Sequence, residues 1–315
     1  MKMQVGIAGE VRCVLRKADG TVKTDTGFQK NLILNQGLDF FGGGHGANMT
    51  TYCAIGSGGS TPVATQTHLD AFAAITRGLY TPSASDYTYT DDGSDTYKTS
   101  TTHKYTFTGV DDVNVSEVGL VSSGSASSNY YLCTRVLIKD SLGAPTTISV
   151  KSDETLDIYY KVWQVYSTLD SEHVINVSDG SGGIVPYNAT VRLESVGDNI
   201  SRVIGAPATA LYDVGAAWSG DLGSIEATPT GGLGSLSMAA FRPYVPSSYK
   251  VIFDMSAGLA VANGDIRCIS TLTRFLFSQM RLGSVDGDLP LTKTDKEELN
   301  ISFELSWGRY EGALD

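Results

Sequence analysis

The sequence predicts an all-β protein: two tandem β-sandwich domains of jelly-roll type, residues 1–170 and 171–315, with short helical turns. Three observations carry this expectation. Apolar residues alternate with polar ones over short runs, which is the two-residue period of a half-buried strand. Glycine, 35 residues in all, punctuates those runs, and tyrosine, threonine and valine fill them. Finally, three segments of the first half recur in order in the second.

The elements follow along the chain. Val11, Cys13 and Leu15 alternate with Glu10, Arg12 and Arg16, giving a strand with one buried face. Asp19-Gly20 supplies a tight hairpin turn, and Val22 begins the return strand. Asn31–Leu34 is a short apolar run, and Asn35–Phe41 is expected to make a helical turn ended by Gly42-Gly43-Gly44. Ala54–Gly56 enters a Gly-rich loop that reaches Pro62, and Thr67–Ala71 reads as a brief helix. Tyr87, Tyr89, Tyr97, Tyr105 and Phe107 mark strands on either side of an Asp92-Gly93 turn. Glu117–Val121 continues the pattern. No stretch shows a long 3.6-residue apolar stripe.

The recurrence is the most specific signal. Glu154–Val162 matches Glu297–Leu305, with Ile158, Tyr160 and Val162 on one strand face and Ile301, Phe303 and Leu305 on the other copy's equivalent face. Upstream, Leu132–Val136 matches Leu276–Met280, and Lys104–Phe107 is aligned with Lys250–Phe253. The boundary is expected between Ser167 and Pro186, around the polar run Ser178–Gly183.

Charged residues make up only 18 %, below the roughly 25 % of an average soluble protein, so Ser, Thr, Asn and Gly must supply the polar surface. A net charge of −11 repels phosphate backbones and argues against direct nucleic-acid binding. No apolar window approaches the roughly 18 residues of a membrane span, and the first residues lack a signal-peptide core, so no membrane insertion and synthesis in a cytoplasm are expected.

Chemistry-bearing motifs are sparse. Cys13, Cys53, Cys133 and Cys268 sit among apolar neighbours and read as buried thiols. His45, His68, His103 and His173 have no companion at metal-ligand spacing. The glycine clusters at 42–44, 56–59 and 231–234 lack the Lys-Ser/Thr of a phosphate loop. Asp91–Asp95 and Asp111-Asp112 read as solvated turns, with Ca²⁺ binding the alternative. No catalytic, cofactor-binding or metal residues are therefore assigned, and no cofactor is expected. Tyr159, Lys161 and Trp163 share the strand face opposite Ile158 and Tyr160. With Trp218, Arg309 and Tyr310 they form the candidate interface set, because aromatic and Arg side chains concentrate in interface cores.

Asn31–Leu38, Ala54–Gly58 with Pro62 and Thr67–Leu69, Ser116–Leu120, Thr134–Val136 and Thr155–Tyr160 form an ordered set that resembles a β domain of tailed-bacteriophage virion proteins. Asn31–Leu38 resembles its opening strand and short helix. Ala54-Ile55-Gly56-Ser57-Gly58, followed by Pro62 and Thr67-His68-Leu69, resembles its "IGTG … P … T-x-L" signature. Ser116–Leu120 resembles its "EVGL" strand, Thr134-Arg135-Val136 its "SRA" strand and Thr155–Tyr160 its closing strand. The match covers roughly residues 5 to 165, and Leu299–Arg309 resembles a final strand of such proteins. The resemblance implies a non-enzymatic structural part of the virion, in the tail, baseplate, collar or fibre. It implies a homo-oligomer, trimeric or hexameric, bound to other virion proteins. A host-receptor-binding tail adhesin and a capsid decoration protein are the alternatives.

Overall fold

The computed structural model describes residues 2–43, 49–78, 87–91, 95–110, 112–122, 130–178, 183–194, 214–273 and 277–314. Among these the fold is all-β with one helix. The first half contributes β1 (Lys2–Arg16), β2 (Val22–Asp25), β3 (Gln29–Lys30), β4 (Leu32–Ile33), helix α1 (Asn35–Gly42), β5 (Tyr52–Gly56), β6 (Phe72–Arg77), β7 (Tyr87–Asp91), β8 (Thr96–Thr108), β9 (Val113–Val115), β10 (Glu117–Val121), β11 (Thr134–Leu137), β12 (Ile148–Val150) and β13 (Thr155–Ser167). The second contributes β14 (Ser171–Ser178), β15 (Ile184–Leu193), β16 (Val214–Trp218), β17 (Gly232–Phe241), β18 (Lys250–Ala257), β19 (Gly264–Ile266), β20 (Cys268–Leu272), β21 (Phe277–Ser284), β22 (Leu291–Lys293) and β23 (Leu299–Arg309).

Local sequence explains the elements. In β1, Val5, Ile7, Val11, Cys13 and Leu15 point inward and are fully buried, while Arg12 and Arg16 on the other face are half-exposed. Gly20, at φ +85°, closes the turn into β2 with a hydrogen bond to the Lys17 carbonyl. Helix α1 forms where the sequence predicts it and buries Leu38, Phe40 and Phe41. Thr67–Ala71 is not a helix. The Asp70 and Ala71 amides donate to the Glu117 carboxylate instead of to carbonyls one turn back, so the segment stays an irregular loop. Asp92 and Gly93 lie outside the described residues, and the strands flanking them, β7 and β8, are antiparallel neighbours. In the boundary run, 179–182 lies outside the described residues, and β14 and β15 on either side pair with Ser178 opposite Ile184.

Strand pairing repeats between the halves. In the first, β8 pairs β13, β9 pairs β12 and β10 pairs β11, a nested set of antiparallel pairs. In the second, β18 pairs β23, β19 pairs β22 and β20 pairs β21 in the same nesting. The sheet order β4-β11-β10-β5-β6 recurs as β15-β21-β20-β16-β17. Individual backbone bonds recur too. Ile138 N–H donates to the Ser116 carbonyl as Leu282 N–H does to Arg267, both at 2.8 Å. Ser57 N–H donates to Ala71 at 2.8 Å, and Ser219 N–H donates to Gly231 at 2.9 Å.

Register corrects one alignment. Phe107 lies opposite Leu156 and Ala257 lies opposite Leu299, so Phe107 corresponds to Ala257 rather than Phe253. An even slip keeps every side chain on its face, which is why the alternation could not detect it.

The halves are interlocked. β1 lies between β13 and β23, antiparallel to the first and parallel to the second. One large sheet therefore runs through both halves, and one apolar core includes Tyr160 and Ile158 of the first with Phe253 and Phe303 of the second. Each such side chain contributes about 1.5–3 kcal/mol by leaving water.

Candidate interface

The outer face of β1, β13 and β8 carries half of the interface candidates. Strand alternation turns Tyr159, Lys161 and Trp163 away from the core that holds Ile158, Tyr160 and Val162. Register places Arg12 and Lys104 opposite Tyr159, Glu10 opposite Lys161 and Ala8 opposite Trp163. The result is a ladder of cations on rings. The Arg12 guanidinium lies 5.8 Å and the Lys104 ammonium 5.6 Å from the Tyr159 ring centre. The Lys161 ammonium lies 4.7 Å from the ring of Phe28 and 5.3 Å from that of Trp163. At exposed sites each such contact contributes about 0.5–1 kcal/mol.

Carboxylates thread the ladder. Arg12 binds both oxygens of Asp25, which holds the Asp25 carboxyl down at about 2. Asp157 is buried and accepts from Arg16 at 3.2 Å and Lys104 at 3.0 Å. The Trp163 indole N–H donates to Glu10 Oε2 at 2.8 Å.

Trp163 itself is 4 % exposed. The chain's last described residues cross over it: Tyr310 N–H donates to the Ile7 carbonyl at 2.9 Å, and Leu314 packs with Ala8, Trp163 and Val165. Tyr310 borders this cluster. Tyr159, Lys161, Trp163 and Tyr310 are thus brought to one face. Arg309 turns elsewhere, donating to the Ile33 carbonyl and to Asn35 Oδ1 beside the start of α1. Trp218 lies in the second half, its indole N–H donating to Ser270 Oγ at 2.9 Å.

A buried polar cluster went unrecognised as a unit in the sequence, although Gly58, Glu117 and Arg135 belong to the ordered motifs. Arg135 is fully buried. It donates through Nε to Glu117 Oε2 at 2.7 Å, through Nη1 to the Ser60 carbonyl and Gln66 Oε1, and through Nη2 to Asp70 at 2.7 Å. Glu117 Oε1 also accepts from the Gly58 and Ala71 amides. Together these bonds clamp the 57–71 loop onto β10 and β11. Close approach explains two motif glycines: a Cβ on Gly58 would stand 2.5 Å from Glu117 Oε1, and one on Gly37 would stand 2.0 Å from the Cys133 carbonyl oxygen.

Register makes Gln279 the second-half counterpart of Arg135 and Cys268 the counterpart of Glu117. Gln279 clamps the equivalent loop: its amide donates to the Ser224 and Ala227 carbonyls at 3.0 Å and accepts from Gly223 N–H at 2.7 Å.

The remaining titratable groups are dispersed. All four cysteines are buried and free, and burial pushes the Cys13 and Cys268 thiols up to about 12. His68 stacks edge-on against Tyr130, His103 lies in β8 and His173 in β14, whereas His45 lies outside the described residues. Of the acidic runs, 92–94 and Asp111 also lie outside them, and Asp112 pairs with Lys151. Among the described residues no group of three or more His, Cys, Asp or Glu side chains is placed to hold a metal ion. No described helix is long and apolar enough to cross a membrane.

No family model, curated protein or solved structure matches the chain.

Proposed function

We propose that this chain is a non-enzymatic structural component of a bacteriophage virion, tail-associated, which assembles with itself and with neighbouring virion proteins. The observation that carries this reading is the clamp. The motifs that resemble phage virion domains are scattered over more than a hundred residues of sequence. Yet the motif residues Gly58, Glu117 and Arg135 converge, with Asp70, on a single hydrogen-bonded unit. That unit fixes a loop to a sheet, which is scaffold work.

The repeated nesting of strand pairs supports a second element of the proposal. Residues 1–170 and 171–315 are duplicated β-sandwich domains, tied together by β1. A part that must persist without turnover gains from such interlocking, because the halves cannot separate without breaking β1 from β23.

Mass spectrometry of purified particles, with immunogold labelling, tests the proposal. Label on the tail is the expected result. Label on the head would favour a capsid decoration protein, and absence from purified particles would overturn the reading.

A further inference from the structure

The second half carries a cleft of about 630 Å³ between the β14–β15 hairpin and the segments around β22. Val177, Val185 and Leu289 give it apolar walls, and Leu289 is 62 % exposed. Four carboxylates, Asp265, Asp286, Glu297 and Glu298, line it. None of them has an ion-pair partner among the described residues. The one lining cation, Lys293, is turned inward: its ammonium donates to the Gly258 carbonyl at 2.9 Å and to Asn263 Oδ1 at 2.7 Å. The cleft is therefore apolar within and negative at its rim. It lies in the more acidic half, for residues 171–315 hold 10 Lys and Arg against 17 Asp and Glu.

The first half presents the complementary chemistry. Lys161 has no carboxylate partner among the described residues and rests on Phe28, which is 39 % exposed. Lys104 and Arg12 flank it on Tyr159, each also paired with a carboxylate, Asp157 and Asp25, so Lys161 supplies the uncompensated charge. This face joins positive charge to exposed aromatic carbon, which is what an acidic, apolar cleft selects.

We propose that the occupant of the cleft is a second copy of this chain, docked through its Phe28–Lys161–Lys104 face. Such a contact is head-to-tail, since each copy offers a basic face from one half and an acidic cleft from the other. Repetition closes a ring when the rotation permits and extends a filament otherwise. The inference rests on the self-assembly reading above and names the surfaces that perform it.

Charge reversal in the full chain tests it, with association measured by sedimentation velocity and folding checked by circular dichroism. The variant K104E/K161E and the variant E297K/E298K are each expected to weaken association about ten-fold or more. A chain carrying all four reversals restores the opposite charges and is expected to recover to within about three-fold of the wild type. Association of the wild type is also expected to weaken as salt shortens the screening length from about 10 Å towards about 3 Å. Folded double variants that associate like the wild type, or a folded quadruple variant that does not recover, would overturn the docking while leaving self-assembly standing. A wild-type chain that never associates would remove both.

Discussion

Arg135 and Glu117 form a fully buried ion pair, Nε to Oε2 at 2.7 Å, in which both partners spend their remaining donors and acceptors on the 57–71 loop. A buried pair of this kind adds little over a well-packed apolar pair, but losing one member strands the other charge away from water. Arg135→Ala is expected to cost about 3–5 kcal/mol of stability. It should also free the 57–71 loop for proteolysis. Urea unfolding and limited digestion read the two effects separately.

The second half fills the same two positions with Gln279 and Cys268, a neutral solution to one packing problem. The double variant Arg135→Gln/Glu117→Cys removes both charges together and keeps the loop-facing amide. It is expected to be more stable than Arg135→Ala by at least about 1 kcal/mol, because no fully buried charge is left stranded and only the part-exposed Asp70 loses its ion-pair partner. The same urea series decides this.

Glu194 is a buried carboxylate whose Oε2 has no hydrogen-bond partner, and burial raises its pKa from the ordinary 4.5 to about 7. The folded state therefore holds a proton that the unfolded chain releases between about pH 4.5 and 7. Stability from this group declines as pH rises through that window. Glu194→Gln is expected to flatten that decline and to add about 1–2 kcal/mol at pH 8, a figure discounted for solvent on its open side. Thermal unfolding of both proteins from pH 5 to 8 measures it.

Trp163 and Leu314 touch across the outer face, joined there by Ala8 and Val165. Trp163→Ala removes the platform for the 310–314 segment and leaves Glu10 without its indole donor. A loss of about 3–5 kcal/mol is expected. Hydrogen exchange should show the bond from Tyr310 N–H to the Ile7 carbonyl losing protection before the core strands do.

Much of the fold is legible in the sequence because it is written locally. The alternation around Val11–Leu15, the Asp19-Gly20 turn and the helical turn at Asn35–Phe41 each specify an element within a few residues. The match of Leu156–Val162 with Leu299–Leu305 is legible because both are closing strands of the same nested pairing. What stays hidden depends on long-range closure. Arg135 reads as an ordinary strand residue until folding brings Ser60, Gln66, Asp70 and Glu117 around it. Thr67–Ala71 looks helical because the carboxylate that captures its amides lies far along the chain. Of the interface candidates, the strand period places Tyr159, Lys161 and Trp163 on one face. No local signal shows that Leu314 covers the last of them.

The building block proposed above must associate with copies of itself. Light scattering with mass determination on the purified full chain, across a concentration series at low salt, tests it most directly. A closed species of three or six copies is the predicted result. A folded chain that stays monomeric throughout the series would contradict the account.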